Sequence, residues 1–224
     1  MKIVVFESAV PDYFMAHLDL LRVGELSLTP GPTGLSPWPD VAYRLERAPF
    51  VTVGLVRGRA RGVGNELLMA LDLRFASREK AVFGQLEIAC GAFPGGGGME
   101  RLPRLVGRAR ALEIIAGGMD LDADTAERYG LVNRALPDAE LDAFVDDYAR
   151  RVASFDGAAI AAAKALLNQR SGLPAIAELA ATQTEFFAAL ARPESQARIA
   201  RLFERGLQQP GELELRMGSY LGEA

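Results

Sequence analysis

A single cysteine, Cys90, leaves no partner for an internal disulfide. With a single histidine, His17, beside it, the chain cannot assemble a Cys/His metal cluster. No apolar run reaches the ~18 residues that a membrane-spanning helix requires. The stretch Met1–Phe14 has one lysine, a short apolar run and an early acid, without the apolar core and small-residue cleavage site of a secretory leader. A net charge of −4 offers no basic face to a nucleic-acid backbone. Gly-x-x-x-x-Gly-Lys-Ser/Thr is missing, so the four glycines Gly95–Gly98 are not a phosphate-binding P-loop. They also lack the long preceding strand, and the acid about 20 residues on, of a dinucleotide site. There is no Gly-x-Ser-x-Gly, and no motif ties a serine or cysteine to His17. What remains is the expectation of a soluble, cytoplasmic α/β protein. Its partners are small molecules or other proteins, with neither nucleic acid nor membrane among them.

Half of the 224 residues are hydrophobic and 24% are charged, enough apolar material for a sizeable core. Residues 2–6 read as a short buried strand and 24–37 as a Pro/Gly-rich loop. Residues 38–48 carry Val41, Leu45 and Ala48 at helical spacing, opened by one proline and closed by Pro49. Val51–Val56 is a second strand, Gly62-Val63-Gly64 breaks the pattern, and 65–72 is a helix starting near those glycines. Short strands fit 73–77 and 81–83, and the chain reads helical from Met99. Leu121–Asp124 looks like an acid-capped helix start, 131–136 like a short strand, and Pro137-Asp138 like the opening of the next helix. Long Ala/Leu/Arg helices fill about 138–207. No internal repeat is evident. Strands alternate with helices first and helices follow alone, which divides the chain into a core at 1–140 and a helical region at 141–224, with a sub-boundary near 135–155.

Three short segments could carry chemistry: Phe14–Leu20 after the first strand, Gly62–Leu67 at a strand-to-helix junction, and Phe83–Glu87 before the glycine run. A helix N-terminus leaves backbone N–H groups free and carries partial positive charge, so a turn at Gly62–Gly64 can hold a developing oxyanion. Glu66 lies in the first turn of that helix and Glu87 on a nearby loop. Two carboxylates beside such a turn suit proton transfer next to a carbonyl, or addition of water. The same residues also read as a helix-capping glutamate and a solvated loop acid.

The order of the segments narrows these readings. Ile3–Phe6 followed by Phe14–Leu20 resembles the opening strand and "F-S-A-G-x-D-L" segment of the crotonase (enoyl-CoA hydratase/isomerase) superfamily. Val56–Leu67, with Asp72 and Ala76-Ser77, resembles its "V-N-G-x-A-x-G-G-G-x-E-L…D-x-x-x-A-S" stretch. Phe83–Glu87, Gly91–Gly98 and Arg101–Gly107 are similar to its "F-G-x-P-E" and "G-x-x-P-G-x-G-G-x-x-R-L-x-R-x-V-G" elements, and Ala126, Gly130-Leu131-Val132 to its "A-x-x-x-G-L-V". The resemblance implies a crotonase-like ββα spiral with a C-terminal helical trimerisation region, acting as a homotrimer or hexamer. It implies roughly 45–50 further residues ahead of the strand that begins here at Lys2, supplying a hairpin and a helix over the sheet.

Carried over by position, the resemblance places two oxyanion-hole amides at Leu18 and Val63 and two catalytic carboxylates at Glu66 and Glu87. Ala16, His17, Asp19, Gly62, Gly64, Pro94 and Gly95 then fall where substrate is bound. His17 and Val63 stand at positions where the family usually has glycine, and Leu86 where it has proline. The implied substrate is an acyl-CoA, with coenzyme A part of the substrate and no metal or other cofactor. Both acids being present favours hydration of a 2-enoyl-CoA to a 3-hydroxyacyl-CoA. The alternatives are an isomerase or other crotonase reaction, and a catalytically silent acyl-CoA-binding or assembly protein. Outside these motifs, Arg57, Arg59 and Arg61 share one side of an extended chain and read as a solvated or subunit-facing row, or as ligands for CoA phosphates. Cys90 reads as a small core residue, Trp38 as packing or else as part of an acyl pocket, and Phe186, Phe187 and Phe203 as core or subunit interface.

Overall fold

A strand that is apolar on both faces suits a sheet covered on both sides, and Val51-Thr52-Val53-Gly54-Leu55-Val56 has that character. In the computed structural model, which describes residues 1–27 and 29–223, it forms β3 (Val51–Val56) and is buried from Thr52 onward. β1 (Ile3–Phe6), β3, β5 (Leu73–Ser77) and β8 (Arg134–Leu136) make one parallel sheet in the order β1-β3-β5-β8. A second sheet, in the order β2-β4-β6-β7, contains β2 (Tyr13–Met15), β4 (Arg59–Arg61) and β6 (Val82–Gly84) in parallel. It closes with the antiparallel β7 (Leu121–Asp122).

The chain visits the two sheets in turn. A strand in the first sheet, a strand in the second and a helix recur as β1-β2-α1 (Pro37–Arg47), β3-β4-α2 (Val63–Ala70) and β5-β6-α3 (Gly98–Val106). This is a ββα spiral whose repeat is structural and leaves no repeat in the sequence. Among the second-sheet strands, β2, β4 and β6 have three residues each and β7 two, too short to show alternation, so β2, β4 and β7 escape sequence reading. The longer elements fall where the pattern places them. α1 stops at Arg47, before Ala48-Pro49, because the residue ahead of a proline avoids helical geometry. Asp122 opens α5 (Ala123–Tyr129) by accepting a hydrogen bond from Thr125 N at 2.7 Å.

The main core lies between the sheets and the inner helices, where Val56, Leu68, Phe83, Leu102 and Leu131 are fully buried. α4 (Arg108–Gly117) follows α3 at its rim. The outer face of the first sheet is covered by α6 (Asp138–Ser154), whose Phe144 and Tyr148 meet Phe75 edge-on at 5.0 and 5.6 Å between ring centres. α7 (Gly157–Ser171) is tied in by the buried Lys164, which donates to Phe50 O (2.9 Å) and Asp72 Oδ2 (2.7 Å). α8 (Ile176–Leu190), α9 (Pro193–Glu204), α10 (Glu212–Leu215) and α11 (Met217–Tyr220) then return over the far end of the second sheet.

That return corrects the reading of the arginine row. Arg57 pairs with Asp138 (2.8 Å) and Asp142 (2.7 Å) of α6. Arg59 donates to Leu215 O at 2.7 Å. Arg61, 1% exposed, forks onto Asp120 at 2.8 and 2.6 Å and donates to Glu214 O. β4 is an interior strand crossed by the C-terminal tail, so Arg61 is buried under protein, while Arg57 and Arg59 stay partly exposed and are held by the protein partners just named. A guanidinium suits that place, because its planar fork satisfies a carboxylate and several carbonyls at once.

Candidate active site

Gly62 makes the turn from β4 into α2 at φ 50°, ψ −121°, a backbone conformation that side chains rarely allow. A Cβ there would also lie 3.1 Å from Glu87 Oε1 and 3.4 Å from His17 Cβ. The next amide, Val63 N–H, is the first of α2 and points out of the helix end. Val63 itself is helical, so its branched side chain meets no backbone conflict. Gly64 lets α2 start directly against β2, since a Cβ there would stand 2.1 Å from Met15 O. That close approach sets the loop after β2, with Leu18, beside the α2 start. Among the described residues neither Leu18 N–H nor Val63 N–H finds a protein acceptor.

Glu66 sits in the first turn of α2, 3% exposed. Its Oε1 accepts from Gly96 N (2.8 Å) and Gly98 N (2.9 Å). The glycine run therefore cradles a carboxylate. Only glycine fits at 96, where a Cβ would be 2.4 Å from Glu66 Oε2 and 2.6 Å from Trp38 Nε1. Beneath the run, Gly97 adopts φ 109° over Arg101, whose guanidinium is buried against Glu46 at 2.7 and 3.0 Å. Burial pushes the Glu66 carboxyl up to about 6, against the two glycine amides and Arg101, which hold it down.

Glu87 opens a short 3-10 turn, Glu87–Cys90, after β6. The residue is partly exposed, but its Oε2 is shut off from solvent and has no partner among the described residues. Burial, and then the charge of Glu66, push its carboxyl up to about 8. Neighbouring Gln85, fully buried, satisfies the carbonyls of Gly62 (3.1 Å) and Gly84 (3.0 Å) through its amide nitrogen. Its oxygen is then left 3.5 Å from Glu87 Oε1, a position that favours a protonated Glu87 as donor. The two carboxyls titrate as one coupled system, with burial and their mutual repulsion raising proton affinity above the ordinary carboxyl range and the glycine amides opposing this at Glu66.

Seven of the residues singled out from sequence line one cavity of about 220 Å³: His17, Leu18, Gly62, Val63, Glu66, Glu87 and Gly95. Four do not line it. Ala16 is exposed at the loop edge. Asp19 closes a turn, accepting from Leu21 N (3.1 Å), Arg22 N (3.2 Å) and Gln208 Nε2 (3.0 Å). Gly64 packs on Met15, and Pro94 is buried beneath Gly98.

Apart from Gln183, the remaining wall is largely apolar and comes mostly from elements remote in sequence. Phe186 and Phe187 of α8 pack in a core cluster with Ala92 and Leu190, as expected, and also line the cavity, as do Leu190, Leu202 and Met217. Phe203 does pack in the core, against Leu86 and Leu202. Trp38, expected as packing or in an acyl pocket, packs against the core and is also in the wall, its buried Nε1 without an acceptor among the described residues. Cys90 likewise lines the cavity, and burial, with the nearby Glu87 charge, raises its thiol to about 11, so it stays protonated. No local motif marks Phe186, Phe187 or Trp38. Their one common signal is a large aromatic on an otherwise Ala/Leu-rich or Pro-rich segment. Among the described residues no group of three or more acids, histidines or cysteines is arranged to hold a metal ion.

A ββα spiral with two free amides and two glutamate carboxyls at one largely apolar cavity defines a crotonase-type protein. The chain belongs to the enoyl-CoA hydratase/isomerase family, whose pattern it matches over residues 1–209. It is similar over its whole length to a crystal structure from Streptomyces avermitilis, provisionally named an enoyl-CoA hydratase. Identity there is 45% and the TM-score 0.94, covering 81% of that chain. It is 40% identical over 157 residues, 69% of its length, to a Dictyostelium discoideum protein provisionally named a mitochondrial enoyl-CoA hydratase. It is 33% identical over 166 residues, 74% of its length, to the short-chain-enoyl-CoA hydratase of Clostridium acetobutylicum. The chain spans 55% and 63% of the length of these two relatives.

Proposed function

We propose that this protein adds water to a 2-enoyl-CoA, giving a 3-hydroxyacyl-CoA. The observation that carries the reading is the glutamate pair: two carboxyls in one apolar cavity whose proton affinities are pushed apart. Burial raises both carboxyls, and the glycine amides and Arg101 hold Glu66 down, so the proton the pair retains is favoured on Glu87. The Leu18 and Val63 amides hold the thioester oxygen and stabilise the enolate that develops as C3 is attacked. Glu66 orients the water and takes its proton as the hydroxyl bonds to C3, and Glu87 delivers a proton to C2. The proton on Glu66 then returns to the pair, and the net change is one water added. The apolar wall from α8, α9 and the tail accepts the acyl chain. Coenzyme A enters as part of the substrate, and the steps call on no metal or redox cofactor. Double-bond isomerisation needs a single carboxyl to shuttle one proton, so the second, separately tuned glutamate supports hydration over it.

The test is loss of enoyl-thioester absorbance with crotonyl-CoA and with a longer enoyl-CoA. Turnover of either is expected, with kcat/KM bell-shaped in pH. It falls below about pH 6, as Glu66 becomes protonated, and above about pH 8, as Glu87 loses its proton. Binding of butyryl-CoA without turnover of either enoyl-CoA sinks the reading and leaves an acyl-CoA-binding protein.

The working unit in this reading is a homotrimer, or a hexamer of paired trimers, in the cytoplasm. α7 supports the assembly. It is rich in alanine and leucine yet buries only Lys164, leaving Leu166 and Leu167 46% and 66% exposed. Light scattering is expected to give at least three times the chain mass, and Leu167→Glu is expected to lower it. A parent that elutes as a monomer at micromolar concentration contradicts the assembly.

A further inference from the structure

His17 occupies the loop that carries the Leu18 amide, and both of its ring nitrogens face acceptors. Nδ1 lies 3.0 Å from Leu18 O, and Nε2 lies 3.1 and 3.2 Å from the two oxygens of Glu214 in α10. Neither side chain is open to solvent, at 15% and 9% exposure. A neutral imidazole carries one N–H and can serve only one of these acceptors; the imidazolium serves both. The bond from the His17 side chain to Leu18 O spans residue 18 and fixes the direction of its N–H.

The tail holds the same loop a second time. Gln208 N donates to Glu214 Oε1 at 2.6 Å. The Gln208 side chain accepts from Leu20 N (3.0 Å) and Leu21 N (3.3 Å) and donates to Asp19 (3.0 Å). Gln208 does this at φ 61°, a conformation costly for a residue with a side chain and maintained only where surrounding bonds enforce it. The same stretch is anchored at the other donor. Arg61, two residues before Val63, donates to Glu214 O and to Leu215 O (3.3 Å). Residue 214 is thus bonded through its side chain to the Leu18 loop and through its carbonyl to the strand that leads into Val63.

We propose that His17 and Glu214 are positioning residues for the oxyanion donors, a charged clasp by which the C-terminal tail sets the Leu18 amide relative to the Val63 amide. The proposal rests on the reading of those two amides as donors to a thioester oxygen. Charged groups around the ring are Glu214 from the tail, Arg61 from β4, and Glu87 across Gly62, with Tyr13 of β2 near Glu214. Burial lowers the proton affinity of the ring, but the Glu214 hydrogen bond and charge and the Leu18 carbonyl together carry it above the ordinary histidine value.

Because His17 is the only histidine, its ring signals in NMR report the clasp without assignment. Three readouts on Glu214→Gln test it: the His17 titration midpoint, kcat and KM with crotonyl-CoA, and the carbonyl 13C shift of bound [1-13C]butyryl-CoA, which does not react. The midpoint is expected to fall. kcat is expected to drop about 10- to 100-fold with KM within about twofold, the pattern of a donor displaced from the transition state. The downfield shift of the bound carbonyl is expected to shrink, and Glu214→Asp to restore part of both. A lowered His17 midpoint with parental kcat and parental carbonyl shift overturns the proposal. If the parent turns over no enoyl-CoA, the hydration reading fails alone and the carbonyl shift still decides the clasp. If Glu214→Gln does not fold, His17→Gly opens the same bridge from the other side, and parental kcat and carbonyl shift in that variant overturn it equally.

Discussion

Replacing Glu87 with glutamine is expected to lower kcat for 2-enoyl-CoA hydration by about 10²–10⁴-fold, the usual worth of a positioned acid or base. Glutamine keeps the shape and cannot give a proton to C2, so KM should change little. Glu66→Gln is expected to fall in the same range and to lose the acid limb of the pH profile, whereas Glu87→Gln loses the alkaline limb. The double variant should be scarcely worse than either single one, because the two groups act in one proton transfer. Stability is expected to move the other way. Between the ordinary carboxyl value of 4.5 and about 8 the folded protein holds a proton on Glu87 that the unfolded chain has released. Where the folded state binds more protons, stability declines as pH rises. Thermal melts of the parent should therefore lose ground from pH 5 to pH 8, and those of Glu87→Gln should lose less. Equal slopes in the two melts, or parental kcat in either glutamine variant, would exclude this assignment.

Cutting the buried pair beneath the glycine run is expected to give the largest loss of stability. Arg101 and Glu46 are 2% and 6% exposed and share two hydrogen bonds at 2.7 and 3.0 Å. Arg101→Met leaves the Glu46 carboxylate, away from solvent, with the Arg47 guanidinium at 3.2 Å as its remaining charged partner, and breaking such a buried pair costs up to ~3–5 kcal/mol. For a chain of this size that corresponds to about 6–20 °C in melting temperature. Glu46→Leu combined with Arg101→Met removes both charges and is expected to be more stable than Arg101→Met alone. Activity should not return with stability in the double variant. Arg101 also reaches Gly96 O and supports Gly97, so without it the amides of Gly96 and Gly98 lose their setting around Glu66. A melting temperature for Arg101→Met within about 2 °C of the parent would show that the pair is not under strain when broken.

Local chemistry made part of this protein readable in the chain itself. Val51–Val56 is a strand wherever it is placed, Asp122 caps the helix it precedes, and Pro49 ends the helix before it. Gly62, Val63 and Glu66 are also a local matter. Four or five consecutive residues make the turn, free the amide and place the acid in the first helical turn, so the segment stands out locally as one that could carry chemistry, and the family resemblance then implies the roles of Val63 and Glu66. The proton affinities of Glu66 and Glu87 are another matter, because dryness and mutual repulsion depend on what closes over them. That cover comes from Phe186, Phe187, Leu202 and Met217, on helices whose composition reads only as apolar.

The contacts that complete the site span the chain. Glu66 meets Gly96 from 30 residues away, Arg61 meets Glu214 across 153, and His17 meets Glu214 across 197. Three-residue strands such as β4 give no period, so the burial of Arg61 had no local signature. The sequence by itself determined which residues can turn, cap, donate and titrate, because those properties belong to a residue and its near neighbours. Only the tertiary structure decided which of them share a cavity, which arginines lie under the tail and which carboxyl keeps its proton. Those outcomes depend on desolvation and charge between groups that folding alone brings together.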